Sequence, residues 1–258
     1  MDEKNKLKTN TSKRFSLFRF AAPSHFYFLA QAMTPWFFTI AILLCVAGCY
    51  VGFFIAPTDH QQGEAYRIIF LHVPAAWMSM LVYLVMAFWA AIGVAFNTRL
   101  SSMMASALAP TGAMFTFLAL LTGSLWGKPT WGTWWVWDAR LTSELILLFL
   151  YGGFIALQSA IDDPRRADRA GAIIAIVGVV NIPIIYFSVQ WWNTLHQGSS
   201  INMKSAPSMA MTMLVGMLIM VFAFWAYTIA VALMRVRCII LERERGAEWV
   251  KEIQEKTK

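Results

Sequence analysis

Six long apolar runs, separated by shorter polar segments, dominate the chain. Each has at least 19 residues, close to the roughly 20 that an α-helix needs to cross the hydrocarbon core of a bilayer. The pattern predicts an all-α, polytopic membrane protein with six transmembrane helices. The predicted spans are 35–56, 73–96, 104–125, 143–161, 170–190 and 208–234.

Polar segments flank this region and divide the chain into three parts. Residues 1–34 are predicted to be a basic leader, 35–234 the membrane domain and 235–258 a charged tail. The first apolar run is too long for the core of a cleavable signal peptide. Phenylalanines in the leader predict an amphipathic helix lying on the membrane surface. These are Phe15, Phe18, Phe20, Phe26 and Phe28.

Composition agrees with a chain embedded in a bilayer. Of 258 residues, 59% are hydrophobic and only 14% charged, whereas about a quarter of a soluble domain is charged. A net charge of +7 is also found in proteins that bind nucleic acid. Most Lys and Arg instead lie beside apolar runs, as juxtamembrane charges do, so we expect a lipid bilayer and no nucleic acid as partner.

The distribution of basic residues predicts the orientation. With the N-terminus inside, 17 of the 21 Lys and Arg residues lie on the cytoplasmic side and four lie outside. This bias predicts a multi-pass membrane protein with both termini in the cytoplasm. The outer loops are then 57–72, 126–142 and 191–207.

The predicted spans carry no Asp, Glu, Lys or Arg at their centres. Ion-coupled carriers usually need such a residue near the bilayer midplane, so this class is not expected. Pro110 and Pro183 could break helices, as in transporters, although a simple kink is the more common outcome. Any chemistry is therefore expected at the outer loops.

The second outer loop is unusually rich in tryptophan, with five of the twelve Trp residues between positions 126 and 137. A dense interfacial belt would explain some of this. A platform for a large, flat, apolar ligand is the functional alternative, because tryptophan rings stack on planar molecules. Asp138 and Arg140 form a local ion pair or, alternatively, Arg140 binds a ligand carboxylate. The five are Trp126, Trp131, Trp134, Trp135 and Trp137.

Two histidines are predicted at the same level as this loop. His72 precedes Val73-Pro74 at the start of the second span, and His196 follows Trp191-Trp192 after the fifth. Two neutral imidazoles from different segments could bind a porphyrin iron from its two faces. Propionates would then meet one of three cations. These are Arg67, Lys128 and Arg140.

The other candidates are weaker. His60 lies in a polar turn and is interpreted as a solvated loop residue, and His25 lies in the cytoplasmic leader. Zinc is less well supported, because the outer loops contain no cysteine and their carboxylates lack a recognisable ligand spacing.

Three segments together resemble a known family. Trp131–Thr142, WGTWWVWDARLT, resembles the tryptophan-rich signature of haem-handling membrane proteins in cytochrome c biogenesis. Tyr66–Trp77 and Trp191–Gly198 agree with it, and the resemblance runs from about residue 34 to 235. The closest resemblance is to the cytochrome c maturation protein C family, the six-span subunits of a bacterial haem exporter.

The resemblance implies a location in the bacterial inner membrane, a function and a site. His72 and His196 would be the metal ligands of haem b on the periplasmic face. The haem edge would lie against segment 126–142, which contains the five tryptophans, Asp138 and Arg140. No catalytic residue is implied, because the family delivers haem and is not a class of enzymes.

The implied partners are those of the same pathway. They are a periplasmic haem chaperone (protein E), a small membrane subunit (protein D) and the ATP-binding cassette subunits (proteins A and B). Direct attachment of haem to apocytochrome is disfavoured by the short length of the chain. Two alternatives stay open, namely a permease that moves haem through the helix bundle and a scaffold that binds no haem.

Overall fold

The computed structural model describes residues 21–192, 194–196 and 209–257, and most of these are helical. Six helical segments are long and apolar enough to cross a membrane, which confirms the predicted fold class. The α-helices are α1 (Pro23–Tyr50), α2 (Ile69–Phe96), α3 (Arg99–Trp131), α4 (Ala139–Ala160), α5 (Pro164–Gly178), α6 (Asn181–Trp191), α7 (Met211–Arg243) and α8 (Glu248–Thr257).

The first span is longer than the apolar pattern indicated. Helix α1 begins at Pro23 and continues through a π-helical turn at Val51–Ile55. Phe26 and Phe28 therefore belong to the first membrane helix, and the prediction that they form a separate surface helix is wrong. The predicted boundary at residue 34 lies inside this helix. The remaining leader phenylalanines, at positions 15, 18 and 20, lie outside the described residues.

The tryptophan-rich segment is mostly helix rather than loop. Helix α3 continues through Trp131 and ends at Gly132, whose φ of 78° gives a left-handed C-cap. Asp138 then caps α4 by accepting a hydrogen bond from the Leu141 amide at 2.8 Å. The predicted outer loop 126–142 is thus reduced to residues 132–138.

The fifth span is broken where the sequence places a proline. Helix α5 ends at Gly178 and α6 starts at Asn181, two residues before Pro183. Proline at 183 has no amide hydrogen for the Val179 carbonyl, and its ring crowds that carbonyl; the Ile182 amide donates to it instead at 3.0 Å. Pro110, in contrast, lies within an unbroken α3.

Helix packing divides the bundle into two main pairs, α2 with α3 and α1 with α7. The largest core cluster is built on α2, α3 and α4, where the rings of Tyr83 and Tyr151 meet edge to face at 5.0 Å. Gly112 faces the Tyr151 ring, and a Cβ at that position would overlap it. The two tyrosines are thus accommodated by small residues on neighbouring helices.

Charged side chains enter the bundle further than the apolar runs indicated. Helix α7 extends to Arg243, so Arg235, which was assigned to the tail, lies within the helix. Its Nη1 donates to Thr111 Oγ1 at 2.8 Å. Thr111 is twelve residues into α3, or about 18 Å along its axis. Arg235 lies eight residues before the end of α7 and away from its centre, so the prediction that no charge lies at the centre of the sixth span is not contradicted.

Candidate functional site

The alternation of the helices brings the predicted site residues to one end of the bundle. The start of α2, the end of α3, the start of α4 and the end of α6 all lie at this end. We call it the tryptophan end, defined by Trp126, Trp131, Trp137 and Trp191. His72 lies on α2 and His196 follows α6, so both histidines share this end.

A cavity of about 210 Å³ lies at the tryptophan end and extends into the bundle as far as Met80 and Met217. Its wall combines aromatic and apolar side chains with a few ionisable groups, a composition typical of ligand sites. The groups with functional potential are His72, Trp126, Trp131, Arg140, Glu144 and His196.

His72 is held from several sides by α3. Its Nδ1 lies 3.0 Å from Thr122 Oγ1, and its ring meets that of Trp126 edge to face, with centres 5.6 Å apart. The sequence predicted His72 just before the second span. Helix α2 instead starts at Ile69, preceded by a 3₁₀ turn from Glu64, so His72 lies inside the helix and Pro74 is not at its first position.

His196 approaches His72 from the segment after α6. The two imidazole centres are 6.3 Å apart and their planes differ by 33°. Trp131 also lies near His196, with the two ring centres 5.9 Å apart. The backbone amide of His196 donates to Thr194 Oγ1 at 3.1 Å. The two histidines and their flanking tryptophans therefore form one continuous aromatic group.

Two ionisable residues on α4 face the same cavity. Arg140 Nη1 donates to the Ile185 carbonyl at 3.0 Å. Glu144, only 6% exposed, has Oε1 2.7 Å from Ser79 Oγ. Glu144 is not among the residues that the sequence predicted for the site. Its spacing of four from Arg140 places both on one helix face, and that was the signal available in the sequence.

The short turn before α2 supports Trp126. Gln62 Oε1 accepts a hydrogen bond from Trp126 Nε1 at 2.7 Å. The backbone amides of Gln62 and Gln61 donate to the Asp59 carboxylate. These bonds, that of Gln62 foremost, hold the pKa of Asp59 below its usual range. His60, in the same turn, is exposed.

Several predicted residues lie outside the cavity. Arg67 is bound by Glu64 and by the Gly52 and Ala56 carbonyls. Asp138 serves as the cap of α4 and, within the described residues, forms no ion pair with Arg140.

Three of the five tryptophans also lie outside the cavity. Trp134 and Trp137 are 54% and 77% exposed, and Trp135 packs edge to face on Trp137 at 5.4 Å. None of these three residues lines the cavity, and we call them the exterior tryptophans.

The histidine pair fits a metal bound on two opposite sides. A metal–imidazole bond is about 2 Å long, so two of them, with the distance from each nitrogen to its ring centre, place the centres about 6 Å apart. The observed 6.3 Å meets this requirement. The surrounding tryptophans suit a flat, apolar ligand such as a porphyrin.

The fold and the cavity together define a class, namely a six-span helical membrane protein with a histidine pair and tryptophans around a cavity at one end of the bundle. A family model, "Heme exporter protein C", matches residues 16–251. The chain therefore belongs to the Heme exporter protein C family, as the resemblance of its motifs predicted.

Individual relatives agree with the family model. Heme exporter protein C of Escherichia coli (strain K12) is 48% identical over 239 residues, covering 92% of this chain and 96% of the relative. The Haemophilus influenzae protein of the same name is 44% identical over 93% of this chain and 97% of its own length. A "putative cytochrome c biosynthesis ccmC-like mitochondrial protein" of Marchantia polymorpha is 45% identical over 80% of this chain and 85% of its own.

Membership of this family and the six spans establish a multi-pass protein of the bacterial inner membrane. Its role is in haem export for cytochrome c biogenesis. The names of the relatives indicate transport or delivery rather than catalysis.

Proposed function

We propose that the chain binds haem b in the cavity at the tryptophan end, on the periplasmic face, and delivers it to a periplasmic haem chaperone. The observation that carries this proposal is the 6.3 Å separation of the His72 and His196 rings within one cavity. His72 and His196 would hold the haem iron through their imidazole nitrogens. Bis-histidine ligation fixes the position and tilt of the ring, which is positioning rather than acid–base catalysis.

Neighbouring side chains orient the ligand. Trp126 and Trp131 flank the two imidazoles and keep water from the haem edge. We assign Arg140 as the partner of a haem propionate. Of Arg67, Lys128 and Arg140, it is the one that lines the cavity. One of its nitrogens donates to a carbonyl, and its other N–H groups are available for a carboxylate. The contacts of Arg67 argue against a propionate role for that residue.

The exposure of two exterior tryptophans, Trp134 and Trp137, supports delivery rather than permanent storage. A cavity of about 210 Å³ is smaller than the roughly 300–1,000 Å³ typical of enclosed ligand sites. A porphyrin would therefore extend beyond this cavity, and exposed Trp134 and Trp137 lie at the same end of the bundle. The edge outside the cavity would present a vinyl group to the chaperone, protein E of this pathway. We place protein D and the ATP-binding cassette subunits A and B in the same complex, as membership of the family implies.

Absorption spectra of the purified protein test this proposal. We expect His72→Ala and His196→Ala each to shift or weaken the Soret band of protein expressed with ample haem. His60→Ala is the matched control, because His60 is an exposed histidine outside the cavity, and it should keep the wild-type spectrum. Unchanged bands in both cavity variants would refute the ligand assignment.

The alternatives predict different results. A scaffold function predicts no haem in any preparation of the wild-type protein. A permease predicts that substitutions deep in the spans block haem entry while binding at the tryptophan end persists. The predicted periplasmic position of that end is tested separately by labelling a single cysteine introduced at exposed Trp137 with a membrane-impermeant thiol reagent in intact spheroplasts.

A further inference from the structure

We propose that Thr122 is a positioning residue that selects the tautomer of His72. Its hydroxyl oxygen accepts the Nδ1 hydrogen, which leaves the Nε2 lone pair of His72 available as a ligand. The proposal rests on the proposed role of His72 in haem binding. It concerns the imidazole of the haem-free protein, however, so it can be tested without haem.

The direction of the hydrogen bond follows from the single hydrogen on the Thr122 hydroxyl. Oγ1 lies 2.6 Å from the Leu118 carbonyl and 3.3 Å from the Ala119 carbonyl. It lies 3.0 Å from His72 Nδ1. A carbonyl can only accept, and the bond to Leu118 is the shortest, so the hydroxyl hydrogen belongs there. A lone pair of Oγ1 is then left for His72, and Nδ1 must carry the hydrogen.

This direction determines which nitrogen of a neutral imidazole is free. A neutral histidine carries one ring hydrogen, so a hydrogen on Nδ1 leaves Nε2 as the acceptor. Histidines that bind metals commonly donate their second ring N–H to a neighbouring oxygen, which fixes the ring and raises its basicity as a ligand. Thr122 supplies that oxygen for His72, and the backbone carbonyl of Ala119, one turn earlier on α3, is a second acceptor beside the same ring.

Two neighbours of Thr122 on α3 further restrict the orientation of the His72 ring. Gly123 leaves room for the ring, since a Cβ there would lie 3.1 Å from His72 Cε1. Trp126, one turn after Thr122, contacts the same ring. One short stretch of α3 thus supplies the hydroxyl of Thr122, the space beside Gly123 and the ring of Trp126. Together they hold the His72 ring in a single orientation.

The first test uses haem-free protein. The chain has four histidines, so ¹⁵N-histidine labelling in detergent gives a small set of imidazole signals, and the loss of one in His72→Ala assigns His72. In long-range ¹H–¹⁵N spectra above pH 7 we expect His72 to carry its hydrogen on Nδ1. Thr122→Val, which removes the hydroxyl at nearly constant volume, should give a mixture of tautomers. Thr122→Ser should restore the wild-type pattern.

The second test measures haem retention. We expect Thr122→Val to weaken haem binding about 10- to 100-fold, as loss of an outer-shell partner does, and Thr122→Ser to recover most of it. Thr116→Val is the matched control. Thr116 is a buried threonine on the same helix whose hydroxyl likewise donates four residues back, to Gly112 at 2.8 Å. It should leave the His72 tautomer and haem retention unchanged.

Two results would overturn the proposal. One is a wild-type His72 with its hydrogen on Nε2. The other is Thr122→Val that matches Thr116→Val in both spectrum and haem retention. If Thr122→Val does not fold, Thr122→Ala compared with Thr122→Ser asks the same question. A wild-type protein that shows the expected tautomer but never binds haem would refute the proposed function and leave the Thr122 assignment standing.

Discussion

Alanine at position 123 would press directly on the proposed ligand His72. The added Cβ would lie 3.1 Å from Cε1 and 3.6 Å from Nδ1 of the imidazole. Non-bonded carbons prefer about 3.5–4.0 Å, so the ring has to move by a few tenths of an ångström. The movement also stretches or bends the 3.0 Å contact with Thr122.

Stability and haem binding should respond differently to Gly123→Ala. Alanine favours a helix interior over glycine by about 0.5–1 kcal/mol. Turning the imidazole away from its rotamer costs about 0.5–1.5 kcal/mol. These opposing contributions nearly cancel in the free energy of unfolding. The helix propensity of alanine stabilises the haem-free and the haem-bound protein equally. Only the displacement of the His72 ring therefore changes the affinity for haem. We expect up to about a tenfold weaker affinity, since about 1.4 kcal/mol corresponds to tenfold.

The assay follows the loss of haem from detergent-solubilised protein to an excess of a haem-scavenging protein, together with thermal unfolding. Gly152→Ala is the control, because a Cβ at Gly152 meets no atom within 4 Å. It should raise stability slightly and leave haem loss unchanged. Equal haem loss from the two variants would show that His72 is not seated against Gly123.

Two further predictions concern the surroundings of the cavity. Ser79→Ala removes the hydroxyl beside the buried Glu144 carboxyl and should cost about 1–3 kcal/mol of stability, seen as a lower thermal midpoint; an unchanged midpoint would contradict this. Because the pKa of Asp59 is lowered in the folded protein, its ionised carboxylate stabilises the turn at pH values above about 3.9, the pKa in the unfolded chain. This stabilisation is lost as the pH falls through the lower pKa of the folded protein. Amide exchange at Gln62, corrected for intrinsic rates, should accelerate on acidification in the wild type but not in Asp59→Asn.

The spans could be located from the sequence because the bilayer restricts the choice of structure. Backbone groups in hydrocarbon must bond within the chain, so a long apolar run is a helix. The ends of the helices were harder to predict, because a helix continues beyond the apolar run until it reaches a residue that terminates it. Phe26 and Phe28 were assigned to a surface helix for that reason. Trp126 and Trp131 were assigned to a loop, although α3 stops only at Gly132.

The sequence could also place the two histidines on one side, since alternating spans put His72 and His196 at the same end. Thr122 and Ser79 could not have been selected, because in a span they resemble ordinary small polar residues. Nor could the sequence exclude Arg67 as a partner of the haem propionates. Its contacts with Gly52 and Ala56 join parts of the chain 11 to 15 residues apart.

The sequence by itself determined the class of fold, the tryptophan-rich motif and the family, because these depend on the order and spacing of residues along the chain. Tertiary structure decided which groups meet. The 6.3 Å between two imidazoles 124 residues apart, and the contact of Thr122 with His72, depend on how α2, α3 and the segment after α6 pack together. Such distances are set by close packing of whole helices, which no local pattern encodes.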